Sequence, residues 1–222
     1  MPKLIRPALA CLAALLIAGC SNTGTSFDFK ASLKSLVPAK KSAPAAPAQA
    51  NLTAVLQQTA PTPVVQVKLG GSNSVSALML QIETNRGYRT YATASRQTIT
   101  FRNGMITATR GLGNDLMASV TGDSLALISG RRSGTSTRAM EHLNGAGETI
   151  RQTFSCETFI TGSGQVKQGA VSAAPTEVTE NCVAGATKFT NVYQVDRAGL
   201  IVSSTQWIGA GLGYAEVKVL RR

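Results

Sequence analysis

The chain has 222 residues, a formal net charge of +11, and hydrophobic residues at 43% of its positions. Its only histidine is His142, which excludes metal sites built from several histidines and leaves little for a serine–histidine–aspartate arrangement. The four cysteines contain no Cys-x-x-Cys motif, so a catalytic or metal-binding cysteine lacks the partners that it would need.

The first twenty residues have the pattern of a secreted lipoprotein. Two basic residues, Lys3 and Arg6, precede an uncharged apolar run over residues 8–18. This run has about half of the roughly 20 residues that a membrane-spanning helix needs, which favours a cleaved signal peptide over residues 1–19. Residues 16–20, Leu-Ile-Ala-Gly-Cys, form a lipobox. The lipobox predicts that Cys20 becomes an acylated N-terminus, with chains such as palmitate, that holds the protein on a membrane.

The residue after the lipobox bears on the choice of membrane. Ser21 stands where an aspartate would be the usual signal for retention in the inner membrane, so we expect the periplasmic face of the outer membrane.

Removal of Lys3 and Arg6 takes the charge from +11 to +9. In that compartment nucleic acid is not the expected partner, whereas anionic lipid headgroups, lipopolysaccharide or an acidic polysaccharide are. The alternative is a solvated basic surface with no partner.

A segment rich in proline, alanine and lysine follows the predicted anchor. Residues 20–50 have too few large apolar side chains to pack, which predicts a flexible tether. A short helix over residues 51–58, capped by Asn51, is expected next and ends before Pro61. Residues 51–222 then form a single β-rich periplasmic domain, because about 170 residues are enough for one sizeable core.

The hydrophobic pattern of this domain is mainly that of β-strands. Residues 64–69 alternate, residues 77–82 are apolar nearly throughout, as in a strand covered on both faces, and residues 86–94 suit a third strand. Further along, strands at 191–195 and 200–208 flank a turn at 196–199, and residues 215–219 alternate as a last strand. Helices are predicted only in short pieces, at 113–119 and 124–128.

The dipeptide Asn103-Gly104 is the strongest local signal, because a two-residue type I′ hairpin loop needs positive φ at both central positions. Pairing outwards from this loop sets Arg102 opposite Met105 and Phe101 opposite Ile106. The next pairs outwards are Thr100–Thr107, Ile99–Ala108 and Thr98–Thr109. Apolar and threonine pairs then lie on opposite faces, so the turn and the hydrophobic pattern agree on one register.

The four cysteines have three expected fates. Cys11 leaves with the signal peptide and Cys20 takes the lipid, so Cys156 and Cys182 remain. An even pair in an oxidising compartment predicts a disulfide.

Catalytic motifs are sparse. Gly162-Ser163-Gly164 lacks the strand–serine–helix context of a nucleophile elbow, and the glycine pairs around Leu112 and Leu212 lack the third glycine of a dinucleotide site. His142 lies in a polar stretch that predicts a turn. We therefore expect a protein that is not an enzyme and has no cofactor. The open alternative is a pair of carboxylates, about 5–9 Å apart, that act on a polysaccharide. The available candidates are Glu148, Glu157, Glu177, Glu180 and Glu216.

One block of sequence carries a family resemblance. It reads Phe101-Arg102-Asn103-Gly104-Met105-Ile106-Thr107-Ala108-Thr109-Arg110-Gly111-Leu112-Gly113-Asn114-Asp115-Leu116-Met117. This block resembles the YjbF family of lipoproteins, which is related to the group 4 capsule lipoproteins. Matching parts follow in the same order at 154–156, 180–182, 190–193 and 204–208, so the resemblance spans most of the chain from about Leu52. Gln194 departs from the pattern, which has an aromatic residue after Tyr193.

The resemblance implies a fold, a process and a partner. The fold is a mainly antiparallel, curved sheet or half-open β-barrel with a few short helices. The process is the production or export of exopolysaccharide or capsule, and the partner is an outer-membrane β-barrel protein. We therefore expect a lipoprotein that assists secretion by binding this partner or the polymer. The alternatives are a lipid- or lipoprotein-handling module, which needs an apolar cavity, and the enzyme with paired carboxylates.

The same block holds the candidate ligand residues. Arg110 and Asp115 flank a Gly-Leu-Gly turn, where they can form a local ion pair while Asp115 caps the following helix. In the functional interpretation, Arg110 holds an acidic sugar, Asn114 or Asp115 bonds its hydroxyls, and Trp207 or a tyrosine stacks on a ring. Trp207 is the only tryptophan, and such a residue is more often part of the core than a binding platform.

Overall fold

The computed structural model describes residues 48–70 and 75–222. The predicted signal peptide, the acylated Cys20 and nearly all of the predicted tether lie outside the described residues. The first helix begins at Ala48, three residues before the predicted start of the domain at 51. The helices within the described residues are α1 (Ala48–Gln58) and α2 (Gly122–Ser129). The strands are β1 (Val64–Leu69), β2 (Val75–Asn85), β3 (Tyr88–Ala92), β4 (Thr98–Arg102), β5 (Met105–Arg110), β6 (Leu116–Val120), β7 (Gly134–Leu143), β8 (Thr149–Ser163), β9 (Val166–Gln168), β10 (Val171–Ala173), β11 (Thr176–Ala184), β12 (Thr187–Val195), β13 (Ile201–Trp207) and β14 (Tyr214–Arg221).

Twelve of these strands form one antiparallel sheet in the order β5-β4-β3-β2-β1-β14-β13-β12-β11-β8-β7-β6. The sheet curls until β5 and β6 lie beside each other, which gives a nearly closed barrel with an unsealed seam between these two strands. Strands β9 and β10 form a separate two-stranded ribbon. The predicted fold class, a mainly β protein with a curved antiparallel sheet or half-open barrel, is therefore confirmed.

Side-chain alternation directs one face of each strand into the barrel. On β1, the buried residues Val65, Val67 and Leu69 alternate with half-exposed polar residues. The register sets these three opposite the buried residues of β14 at positions 219, 217 and 215. All six side chains belong to the main interior cluster. Helix α2 packs against β7, β8 and β12 and buries Leu125 and Ile128 in a second, smaller cluster.

The predicted hairpin is confirmed at its turn and corrected further out. Asn103 and Gly104 have φ of 50° and 90°, and the pairs Arg102–Met105 and Phe101–Ile106 form as expected. A bulge beyond Phe101 then shifts the register by one residue, so the three outer pairs predicted from the sequence are wrong. The observed pairs are Thr100–Ala108, Ile99–Thr109 and Thr98–Arg110. The bulge occurs where the N–H of Ile106 donates to the Gln206 side chain on β13, at 2.8 Å.

Two other local predictions need correction. Residues 113–119 do not form a helix, because Leu116–Val120 pair with β7 as strand β6 and satisfy their backbone groups there. Strand β2 covers the expected residues 77–82 but is not buried on both faces, since Ile82 is 62% exposed. The short helix predicted at 124–128 lies within α2, and the strand predicted at 64–69 is β1.

The two ends of the barrel carry different segments. At the end that we call the turn end, the Asn103 side-chain amide donates to the Gly199 carbonyl in the β12–β13 turn, at 2.6 Å, and to the Ser129 hydroxyl after α2, at 2.8 Å. At the opposite end, the loop end, Asn114 lies against Gly211 in the β13–β14 loop. The ends are opposite because β5 and β13 each run from a turn-end segment to a loop-end segment.

The predicted disulfide between Cys156 and Cys182 is confirmed. The two cysteines stand directly opposite each other on β8 and β11, with their Cα atoms 4.1 Å apart, and both are buried. The disulfide therefore links two neighbouring strands from inside the barrel.

Candidate functional site

Residues 111–115, which we call the seam loop, join β5 and β6, the two edge strands that do not pair with each other. Arg110 at the end of β5 donates from Nη1 to the Leu116 carbonyl, at 3.2 Å, and from Nη2 to the Met117 carbonyl, at 3.1 Å. Nη1 also donates to the carbonyl of Thr109, at 2.5 Å. The Arg110 guanidinium thus bonds carbonyl groups on both sides of the seam, as a neighbouring strand would elsewhere in the sheet.

The carboxylate of Asp115 closes the seam loop on itself. It accepts hydrogen bonds from the backbone N–H of Gly111, at 2.8 Å, and of Leu112, at 3.1 Å, and from the Thr109 hydroxyl, at 2.8 Å. The predicted Arg110–Asp115 ion pair is absent from the described residues, because each charged group already bonds backbone groups. Asp115 does not cap a helix either, since strand β6 follows it.

The two remaining candidate ligand residues also lie at the loop end. Asn114 is exposed, and its side-chain amide forms no hydrogen bond within the described part of the chain. The Asn114 side chain lies against Gly211. Gly211 stands four residues after Trp207, which is half-buried at the end of β13. The structure therefore brings Arg110, Asn114 and Asp115 together in and beside the seam loop and places that loop against the segment that follows Trp207.

The Trp207 ring packs within an aromatic cluster. It stacks on Phe189 with ring centroids 4.6 Å apart and an angle of 14° between the planes. Phe154 and His142 approach it edge-on, at 5.9 and 6.4 Å. His142 lies in β7 rather than in the predicted turn, and its Nε2 is 3.0 Å from the Ile208 carbonyl. One face of the tryptophan ring is therefore already covered by protein.

A buried polar network, which the sequence did not reveal, lies in the barrel interior between β7, β11, β12 and α2. Arg138 on β7 and Glu180 on β11 form an ion pair at 3.1 Å, and both side chains have 0% exposure. Glu180 Oε2 also accepts hydrogen bonds from Asn191 and Tyr193, each at 2.8 Å, while Oε1 accepts one from Ser124 on α2. This network ties α2 to three strands of the sheet. Its one sequence signal is that Arg138 stands at an inward position of β7, between buried Ser136 and Met140.

The groups of this network shift each other's pKa values. Burial lowers the pKa of Arg138, but Tyr193 and Glu180 outweigh this effect, so the pKa lies above its ordinary value. Burial and then the Glu180 charge raise the pKa of Tyr193 well above its ordinary value, against the opposing effect of Arg138. Arg138 therefore stays charged and Tyr193 neutral in the folded protein. Cys156 and Cys182 lie close to Glu180 but are bonded to each other, which leaves no thiolate for a metal ion.

A cavity of about 300 Å³ lies at the turn end. Its walls include Val65, Tyr91, Phe101 and Val217 from the sheet and Leu125 from α2. Burial raises the pKa of the Tyr91 hydroxyl, and the nearby Arg89 guanidinium acts in the opposite direction. An apolar cavity is the feature that a lipid-handling module requires, although most of the barrel interior is packed with side chains.

Four of the five candidate carboxylates have hydrogen-bonded or ion-paired neighbours, and the fifth, Glu157, is exposed on β8. Glu180 belongs to the buried network, and Glu216 forms an ion pair with Lys68 at 2.9 Å. Glu177 accepts hydrogen bonds from Thr161 and Gln194, and Glu148 accepts one from Asn144. These bonds give each of the four a partner that holds it in place.

Comparison with known families identifies the chain. The family model of group 4 capsule polysaccharide lipoprotein gfcB, YjbF, matches residues 28–220. The protein therefore belongs to the YjbF family of capsule-associated lipoproteins, as the central sequence block predicted. No helix within the described ranges is long and apolar enough to cross a membrane.

A solved structure with the same fold is similar to this chain. It is the crystal structure of the hypothetical lipoprotein YmcC from Escherichia coli K12, with a TM-score of 0.65 and 15% sequence identity. The match covers 82% of this chain and 98% of that one. No curated protein sequence matches significantly. The low identity limits this comparison to the fold.

Proposed function

We propose that the protein is an outer-membrane lipoprotein that assists the production or export of exopolysaccharide or capsule. The observation that carries this proposal is the family match over residues 28–220, which links the chain to capsule polysaccharide. In this role the protein is anchored at the periplasmic face through acylated Cys20. It acts without catalysis, by binding an outer-membrane β-barrel protein or the polymer itself.

The first test is a pull-down of the lipidated protein from detergent-solubilised outer membranes of its own host, followed by mass spectrometry. The control is Cys20→Ala, which lacks the site of the lipid. We expect recovery of a β-barrel protein or of other exopolysaccharide machinery with the lipidated form. Location of the protein in the inner membrane on fractionation would contradict the proposed placement.

For contact with the polymer we propose the loop end, around Asn114 and the half-buried Trp207. Asn114 offers a free amide for sugar hydroxyls, whereas Arg110 and Asp115 have their polar atoms engaged in the seam. We expect Asn114→Ala to weaken co-sedimentation with the host exopolysaccharide several-fold without changing the melting temperature. The exposed Gln165, changed to alanine, is the control. Unchanged co-sedimentation of Asn114→Ala would exclude the loop end.

A variant of Arg110 distinguishes a ligand-binding role of this residue from a structural one. Because its guanidinium bonds carbonyl groups on both sides of the seam, we expect Arg110→Ala to destabilise the fold by about 1 kcal/mol. Thermal unfolding measures this change beside the co-sedimentation assay. If polymer binding is lost while the melting temperature stays unchanged, Arg110 holds the ligand instead of the seam.

A further inference from the structure

We propose that the turn-end cavity binds an amphiphile that has one apolar chain and an anionic headgroup. This inference is independent of the secretion role, because it rests on the cavity and on the charges at its mouth. It concerns the end of the barrel opposite to the seam loop.

The walls of the cavity match an apolar chain. Buried residues from strands β1, β3, β4 and β14 line it, namely Val65, Tyr91, Phe101, Val217 and Val219, and α2 and the β12–β13 turn add Leu125 and Leu200. Its volume of about 300 Å³ is at the lower end of the range typical of small-molecule sites. Protein interiors are close-packed, and the apolar part of this cavity offers water few hydrogen-bond partners. An alkyl chain matches that part, while polar residues such as Thr84 and Asn103 line the remainder.

The mouth of the cavity is basic. Three exposed arginines, Arg89, Arg102 and Arg222, line it, whereas the wall residues beneath them are buried. Arg222 is already paired with Asp196, at 2.6 Å. Arg89 and Arg102 form no ion pair with a carboxylate among the described residues, so their charges are available to a ligand.

Arg102 is also held in position. It stands directly opposite Tyr88 on β3, and its guanidinium carbon is 5.3 Å from the centre of the tyrosine ring. Arginine binds phosphate and carboxylate groups through paired N–H donors, which a neutral headgroup does not match. The combination of an apolar chamber with two uncompensated arginines therefore selects a chain that ends in phosphate or carboxylate.

The test is calorimetric titration of the full chain carrying Cys20→Ala with short amphiphiles below their micellar concentrations. We expect dodecyl phosphate to bind, decyl phosphate to bind about tenfold more weakly, and dodecanol to bind at least tenfold more weakly than dodecyl phosphate. Inorganic phosphate alone should give no measurable binding. Equal affinity for dodecyl phosphate and dodecanol, or no binding of either, would overturn the proposal.

Variants locate the site. Arg89→Gln and Arg102→Gln should each weaken dodecyl phosphate about tenfold and leave dodecanol unchanged. The exposed Arg132→Gln, which lies outside the cavity, should leave both unchanged. Leu200→Trp fills the chamber from a half-buried position and should abolish binding of both, with circular dichroism to confirm the fold. Binding that survives Leu200→Trp in a folded protein would place the ligand elsewhere.

A separate measurement identifies the natural ligand. Mass spectrometry of lipids extracted from the wild-type protein, purified from its host, distinguishes a fatty acid with a carboxylate from a phospholipid with a phosphate. Either one supports the proposal. Enrichment of uncharged lipids only would contradict it.

Discussion

At the scale of single residues, the buried pair of Arg138 and Glu180 has the largest energetic consequence. Neither side chain is exposed, so each charge depends on the other and on the hydrogen bonds of Ser124, Asn191 and Tyr193. Removing one member leaves a buried charge without its partner, which is far more costly than removing both. The network therefore acts as a unit that fixes α2 against the sheet.

We expect Arg138→Met to destabilise the protein by about 3–5 kcal/mol, because Glu180 is then buried without a counter-charge. The double variant Arg138→Met/Glu180→Leu should recover a large part of that loss. Urea denaturation of both variants and of the wild type measures the difference. A double variant that is less stable than the single one would show that the charges are not coupled in this way.

The raised pKa of Tyr193 predicts a pH dependence. The unfolded chain loses the tyrosine proton near pH 10, whereas the folded protein retains it to higher pH. The folded state then binds more protons than the unfolded state, so the stability contribution is complete below about pH 10 and declines as the pH rises. Tyr193→Phe should flatten this decline, although the raised pKa of Tyr91 keeps part of it. Denaturation between pH 8 and 11 tests the slope, with pH 7 stability as reference.

At the scale of elements, the hairpin β4–β5 shows how far local sequence determines structure. Its Asn-Gly turn and first two pairs follow from backbone preferences, which the sequence contains. At the bulge beyond Phe101, the N–H of Ile106 bonds Gln206, which lies 100 residues later in sequence, and no local pattern predicts such a contact. Similarly, the polar residues of the seam loop suggested a capped helix, but pairing with β7 determined that residues 116–120 form a strand.

Gly104, in the turn of this hairpin, stands where the structure leaves no room for a side chain. Its φ is 90°, and an added Cβ would lie 2.6 Å from the backbone oxygen of Ile201. We expect Gly104→Ala to destabilise the protein by about 3 kcal/mol, from the positive φ and the overlap together. Gly113→Ala has a similar φ of 102° but open space around it, and should cost only about 1–2 kcal/mol. Equal losses in thermal unfolding would mean that the contact with Ile201 is unimportant.

At the scale of the whole molecule, the sequence predicted the class of fold but not the contents of the barrel. The alternating strands follow from short hydrophobic patterns, and the Cys156–Cys182 disulfide follows because the other two cysteines have different fates. Both predictions are confirmed. The Arg138–Glu180 pair does not follow from the sequence, since its members are 42 residues apart and lie on β7 and β11, which pair with opposite edges of β8. The cavity could not be predicted from the sequence either, because its wall residues come from separate strands and one helix.

The disulfide stabilises this whole assembly through the unfolded state. Its cysteines are 26 residues apart in sequence, so the cross-link restricts a loop of that size in the unfolded chain. We expect Cys156→Ala/Cys182→Ala to lower the free energy of unfolding by about 3 kcal/mol without changing the fold. Thermal unfolding and circular dichroism of this variant measure both quantities. A loss below about 1 kcal/mol would show that the interior packing alone holds β8 and β11 together.

The seam has a consequence for how the barrel closes. Strands β1 and β14, the first and last strands of the domain, pair with each other with one bulge at Val64, and the unpaired edges belong to β5 and β6, which only five residues separate. The entropy lost on closing a loop grows with its length, so the gap lies where re-closure costs the chain least. Separation of β6 from β5 would therefore break the Arg110 hydrogen bonds to Leu116 and Met117 but no strand pairing, and would leave the pairing of β1 with β14 intact.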